Sequence, residues 1–154
     1  MKLLLAAVNA KYIHSNLAVY SMKAYCRAFA DHIELAEYTI NQQEDEILKD
    51  LYRKKPEILC FSCYIWNISF IKELIRNVKK ILPDTVIWAG GPEVSYDAEQ
   101  FLEEMPEVFG VMCGEGEETF RELTQYYVNL ERNTEKGTEL EKIDGIVFRK
   151  GKEI

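Results

Sequence analysis

Apolar runs of strand length alternate along this chain with segments whose apolar residues recur at helical spacing, and the alternation repeats through five units. Lys2 to Val8 is a nearly continuous apolar run and predicts the first strand. The polar loop Asn9 to Asn16 leads into a helix with Leu17, Tyr20, Ala24 and Ala28 on one face, capped by Ser15 or Asn16. Ile33 to Tyr38 predicts the second strand, and Ile47, Leu48, Leu51 and Tyr52 stripe a helix that Pro56 ends. Glu57 to Cys63 is the third strand, followed by a helix carrying Ile68, Ile71, Ile75, Val78 and Leu82. Pro83-Asp84 turns the chain into a fourth strand, Thr85 to Ala89. A helix near Ala98 to Glu104, a fifth strand at Phe109 to Met112 and a helix with Phe120, Leu123, Tyr127 and Leu130 complete the series.

Strands that are apolar throughout, joined by amphipathic helices, form a parallel sheet covered on both faces. Right-handed crossovers leave few topologies, and five units predict an α/β, flavodoxin-like (Rossmann-like) doubly wound sheet of order 2-1-3-4-5. The switch point falls between the first and third strands, so the loops Asn9 to Asn16 and Cys63 to Asn67 are expected to flank a ligand crevice. Gly90-Gly91-Pro92-Glu93 follows the fourth strand, and Cys113-Gly114-Glu115-Gly116-Glu117-Glu118 follows the fifth. Both lie on the same edge, where glycine lets backbone approach a ligand closely.

Residues 1–130 read as one domain. Residues 131–142 are charged and aperiodic, which predicts a linker. Residues 143–154 read as the start of a β-hairpin extension turning at Lys150-Gly151, interrupted in its second strand, and this predicts a longer parent protein.

A net charge of −7 removes the basic footprint of a nucleic-acid binder. No stretch reaches the roughly 18 apolar residues of a membrane span. The opening Leu3 to Val8 run is broken by Asn9, Lys11 and His14 before any cleavage-like sequence, so a cytoplasmic location is expected. Cys60 and Cys63 stand three apart in a predicted strand and therefore face opposite sides, which prevents them from sharing a metal. They read as buried free thiols.

The loops exclude several users of this fold. A phosphoacceptor needs an aspartate ending the third strand, where Ser62-Cys63-Tyr64 stands. A flavin phosphate loop needs glycines and hydroxyls in the first loop, and a dinucleotide site needs G-x-G-x-x-G there. Asn9, Tyr12, His14, Tyr64, Trp66 and Asn67 offer aromatic and amide groups instead, a lining suited to a large ring-shaped ligand.

Four segments together carry a family resemblance: Asn9-Ala-Lys-Tyr-Ile-His14-Ser-Asn, Phe61-Ser-Cys-Tyr-Ile-Trp-Asn67, Ala89-Gly-Gly-Pro-Glu-Val94 and Cys113-Gly-Glu-Gly-Glu-Glu-Thr-Phe120. The chain resembles the N-terminal cobalamin (vitamin B12)-binding domain of radical S-adenosylmethionine proteins, a class that includes the anaerobic magnesium-protoporphyrin IX monomethyl ester cyclase.

The resemblance implies cobalamin as cofactor and partner, and an intramolecular radical domain downstream. S-adenosylmethionine and a [4Fe-4S] cluster would belong to that domain, because cysteines 26, 60, 63 and 113 lack the C-x-x-x-C-x-x-C spacing. The fragment alone would then bind and not catalyse, and the parent would perform methyl transfer or oxidative cyclisation. A cofactor-free docking module of the same fold is the alternative.

Residue by residue, His14 occupies the place of the imidazole that ligates cobalt in D-x-H-x-x-G domains, with Tyr12 replacing the aspartate and Leu17 the glycine. Its other reading is a surface histidine at a helix start. Ser62 maps onto a serine that contacts the nucleotide tail, and Tyr64 onto a leucine two residues later. Gly90 and Gly91, with Pro92 and Glu93, map onto the turn along the dimethylbenzimidazole path. Glu115, Gly116 and Glu117, following Gly114, look like the loop that covers the tail or meets the neighbouring domain, or else Gly116 to Thr119 open a helix whose dipole favours acids.

Overall fold

The computed structural model describes residues 1–11, 15–132, 139–151 and 153–154. Its centre is a six-stranded sheet in the order β2-β1-β3-β4-β5-β6, built from β1 (Leu3–Asn9), β2 (Ile33–Thr39), β3 (Ile58–Ser62), β4 (Val86–Gly90), β5 (Gly110–Met112) and β6 (Ile146–Phe148). The first five are parallel in the 2-1-3-4-5 order that their apolar character predicts, and β6 joins β5 antiparallel. The helices are α1 (Leu17–Tyr25), α2 (Glu44–Lys54), α3 (Ile68–Ile81), α4 (Pro92–Ser95), α5 (Ala98–Glu104) and α6 (Gly116–Glu131). A 3₁₀ helix, Arg27–His32, precedes β2.

Alternation along the strands divides the core. Leu4, Ala6, Val8, Leu59, Phe61, Ile87 and Ala89 meet α2, α3 and α5 through residues such as Ile47, Leu51, Ile71, Ile75 and Phe101. Leu3, Leu5, Ala7, Cys60, Trp88 and Met112 face α1 and α6 through Val19, Phe120, Leu123 and Tyr127. Cys60 and Cys63 thus lie in different layers, as their strand spacing requires. Burial pushes both thiols up, Cys63 to about 12, so both are inert apolar fillers.

The first helix corrects the sequence reading. Leu17 is 80% exposed, and Tyr20, Ala24 and Ala28 also face water. The buried line is instead Val19, half-buried Met22 and Cys26. Asn16 does cap the helix, its side chain accepting from Ala18 N at 3.1 Å. The glycine turn after β4 contains a one-turn helix, α4, with Pro92 at its first position.

Residues 139–148, which composition reads as the end of a linker and the start of a hairpin, pack onto the sheet. Leu140 and Ile143 are buried in the layer of Trp88 and Met112, and Cys113 N donates to Gly145 O at 2.8 Å. Arg149 extends from β6 to donate to the carbonyls of Leu102, Met105 (3.3 Å) and Val108 (3.0 Å), satisfying groups at and beyond the end of α5. The turn at Lys150-Gly151 is present, with Lys150 bridged to Glu153 and Gly151 at φ +69°.

Candidate functional site

A cavity of about 440 Å³ opens at the carboxyl ends of the strands, where an open α/β sheet places its ligand. Its floor is the sheet itself: Leu5 of β1, Cys60 and Ser62 of β3, Gly90 of β4 and Met112 of β5. These residues sit side by side in register, Leu5 with Cys60, Ser62 with Gly90, and Gly90 with Met112. Ala18, Val19 and Met22 of α1 form the roof with Gly116 and Glu117 of α6, and Gly91, Pro92, Ser95, Tyr96, Tyr64 and Gly114 close the mouth. The space lies over β1, β3, β4 and β5, beneath α1 and α6, rather than between the β1 and β3 loops alone.

Glycine makes that space. A Cβ on Gly116 would lie 2.3 Å from the methyl end of Met22, and a Cβ on Gly90 would reach only ordinary contact, 3.5 Å, with Met112. Gly91 has φ +109°, and a Cβ there would lie 2.4 Å from Cys63 O. The β3 and β4 exits are also joined by Cys63 N donating to Gly90 O at 2.7 Å.

Asn67 organises the same corner. Its buried side chain donates to Val8 O (2.9 Å) and Ser62 O (3.0 Å), and accepts from Tyr64 N (2.8 Å). All of these bonds tie the loop after β3 to the ends of β1 and β3, so the amide positions the site and does not line it. Asn67→Ala is expected to lower stability by about 2–3 kcal/mol, because buried backbone groups lose their partners. Urea denaturation checks this, and Asn67→Asp should recover none of the loss, because a carboxylate has no N–H for Val8 O and Ser62 O.

Tyr64 and Trp66 stack in parallel, centroids 4.4 Å apart and planes 6° apart, with Tyr64 on the cavity and Trp66 on the surface beside it. Asn9 lies outside the cavity: its amide donates to Glu37 at 3.2 Å. Glu37 also receives Asn16 N (2.8 Å) and the Tyr20 hydroxyl (3.0 Å). Burial opposes ionisation of Glu37, yet these bonds, with one from Ser15, outweigh it and hold the carboxyl below the usual range. That carboxylate fixes both ends of the first loop.

Of the residues marked by sequence, Ser62, Tyr64, Gly90, Gly91, Pro92, Gly114 and Gly116 come together on the cavity. Glu93 and Glu115 are exposed outside it. Tyr12 and His14 lie outside the described residues. Among the described residues, no cluster of three His, Cys, Asp or Glu side chains is placed to hold a metal ion, and no helix is long and apolar enough to cross a membrane.

Sequence reasoning missed Leu5, Val19, Met22, Cys60 and Met112, the apolar interior of the cavity. Their alternation with the opposite layer was the available signal. The Ser62 hydroxyl has no hydrogen-bond partner among the described residues, whereas Ser95 donates to Gly91 O at 2.8 Å and Glu117 accepts from Ser21 at 2.9 Å.

A doubly wound parallel sheet with a glycine-walled apolar cavity at its carboxyl edge is a domain for holding an organic ligand. The model of the B12 binding domain matches residues 3–124, and the chain belongs to that family. Cobalamin is the cofactor of the domain.

Two curated relatives are similar over part of the chain. The cobalamin-dependent radical SAM methyltransferase TokK of Streptomyces tokunonensis is 39% identical over 69 residues, 45% of this chain and 10% of that protein. The 2-(S-pantetheinyl)-carbapenam-3-carboxylate methyltransferase of Streptantibioticus cattleyicolor is 40% identical over 68 residues, 44% of this chain and again 10% of the relative. Among solved structures, the cobalamin-dependent S-adenosylmethionine radical enzyme OxsB with aqua-cobalamin and S-adenosylmethionine bound superimposes with a TM-score of 0.75 at 19% identity. That match covers 99% of this chain and 21% of OxsB, and it shows the fold.

Proposed function

We propose that this chain is the cobalamin-carrying module of a radical S-adenosylmethionine methyltransferase, and that the nucleotide tail of cobalamin lies in the cavity between the sheet and the α1–α6 roof. The observation that carries the reading is the cavity itself, an apolar slot whose walls are cleared by Gly90 and Gly116. A flat heterocycle fits such a slot, with Met22, Met112 and Cys60 offering polarisable contacts to its faces. The Ser62 hydroxyl, free among the described residues, is positioned as the polar contact to the tail.

Cobalamin, when bound, would supply methyl-transfer chemistry, the methyl group coming from S-adenosylmethionine. The part played by this chain is to bury the tail, exclude water from it and present the corrin at the rim formed by Gly91, Tyr64 and Gly114. Ile65, Trp66 and Tyr96 are exposed around that rim, and we assign this apolar border to the corrin edge and to a catalytic domain carrying S-adenosylmethionine and a [4Fe-4S] cluster. Methyl transfer is preferred to oxidative cyclisation because both curated relatives are methyltransferases.

Hydroxocobalamin added to the purified protein should shift its visible spectrum and co-elute on gel filtration; the absence of both effects would overturn the assignment. Gly116→Ala should weaken binding roughly tenfold or more, because the new methyl drives the tip of Met22 toward the ligand, an overpacking cost of about 1–3 kcal/mol. The unfolding midpoint should hold, since the displaced atom is the end of a flexible side chain. His14 is proposed as the lower ligand of cobalt. His14→Ala should then change the spectrum of bound hydroxocobalamin, and an unchanged spectrum would remove His14 from that role.

A further inference from the structure

We infer that the cavity selects among cobamides by the base at the end of the nucleotide tail, accepting benzimidazole and phenolic bases and rejecting purines. This rests on the reading that the tail enters the cavity. The interior surfaces divide sharply by chemistry. Leu5, Cys60 and Met112 on the floor and Val19 and Met22 on the roof offer no strong hydrogen-bonding group. The Cys60 thiol is a weak donor, and burial pushes its ionisation up, so it stays neutral.

Apart from Ser62 on the floor and Glu117 in the roof, the polar side chains stand at the mouth. The Ser95 hydroxyl gives its proton to Gly91 O, and one Glu117 oxygen takes the Ser21 hydroxyl. Tyr96 is 91% exposed and points its chemistry to water. Ser62, on the floor beside Gly90, combines an interior position with a hydroxyl free among the described residues, whereas the Tyr64 and Tyr96 hydroxyls stand at the mouth.

A benzimidazole presents one unsubstituted ring nitrogen to be satisfied, which a single hydroxyl can do, and a phenolic base presents none. Adenine in the same place adds an exocyclic amine and further ring nitrogens. Entering this cavity strips water from those groups and returns no partner, and each buried unpaired group carries a substantial penalty. The thioethers of Met22 and Met112 reward a flat apolar face in either case, so the discrimination comes from the unpaired edge of the purine.

The test measures dissociation constants of the full 154-residue chain for hydroxocobalamin, its adeninyl and p-cresolyl analogues, and cobinamide, which has no nucleotide base. The expected order is cobalamin and the p-cresolyl cobamide within about threefold, adeninyl cobamide at least tenfold weaker, and cobinamide weakest. Equal binding of cobalamin and adeninyl cobamide, both well above cobinamide, would overturn the selectivity and leave the tail site standing. Cobinamide binding as tightly as cobalamin would overturn the tail site and the selectivity with it, and so would the binding of none of the four. Met22→Gln places an amide in the roof on a half-buried helical position and should narrow the adeninyl penalty severalfold. An unchanged ratio in that variant, with cobalamin still bound, would also count against the inference.

Discussion

Replacing Gly91 with alanine is expected to destabilise the domain by about 2–4 kcal/mol, a large fraction of the margin of a domain this size. Two effects act together. The backbone at φ +109° is one that residues with a Cβ rarely adopt. The added carbon would also meet Cys63 O at 2.4 Å, and that obstacle is backbone held in the sheet exit by the Cys63 N to Gly90 O bond. Relief requires the β3 and β4 exits to part. Urea unfolding should show a lower midpoint with an unchanged slope, and a loss below 1 kcal/mol would mean that the turn is softer than its geometry. A leucine at this position is therefore a poor probe of cofactor binding, because it disturbs the fold first.

Gly90→Leu should have the opposite profile: cobalamin affinity falling by about a hundredfold or more, with the unfolding midpoint little changed. Position 90 follows Trp88 and Ala89 in alternation, so its Cβ points into the cavity layer, and only Met112 lies near it at 3.5 Å. The additional carbons have empty space to enter, and it is the space assigned to the tail. Titration with hydroxocobalamin and a parallel thermal melt read the two effects separately. Full binding in a folded Gly90→Leu protein would place the tail elsewhere.

The sequence made the sheet legible because β1, β3 and β4 are buried on both faces, and their runs have no competing helical reading. Their order followed from handedness. The phase of α1 was not legible: Leu17, Ala18, Val19, Tyr20, Met22, Tyr25 and Cys26 put apolar groups on every side, so periodicity has no preferred face. Packing against Leu5 and Cys60 selects Val19 and Met22 instead.

The one-turn α4 is too short for any periodic signal, and residues 139–142 read as linker because Leu140, buried in the core, stands among three charged residues. For the site, Gly90, Gly91, Gly114 and Gly116 were readable because glycine after a strand has few other uses. Asn67 was readable as important but not in kind. Its type and place fit a ligand contact, and only three-dimensional geometry shows the amide consumed by Val8 O, Ser62 O and Tyr64 N.

The roof of the cavity is fastened where water reaches it. Ser21 and Tyr25 of α1 donate to Glu117 and Glu118 of α6 at 2.9 and 2.7 Å, and such exposed hydroxyl–carboxylate links exchange readily with solvent. The front of α1 is tied in the same exposed way, Asn16 N donating to Glu37 at 2.8 Å. The helix that roofs the cavity is thus held at its front and along its side by links open to solvent, while the buried Val19 and Cys26 seat it on the sheet.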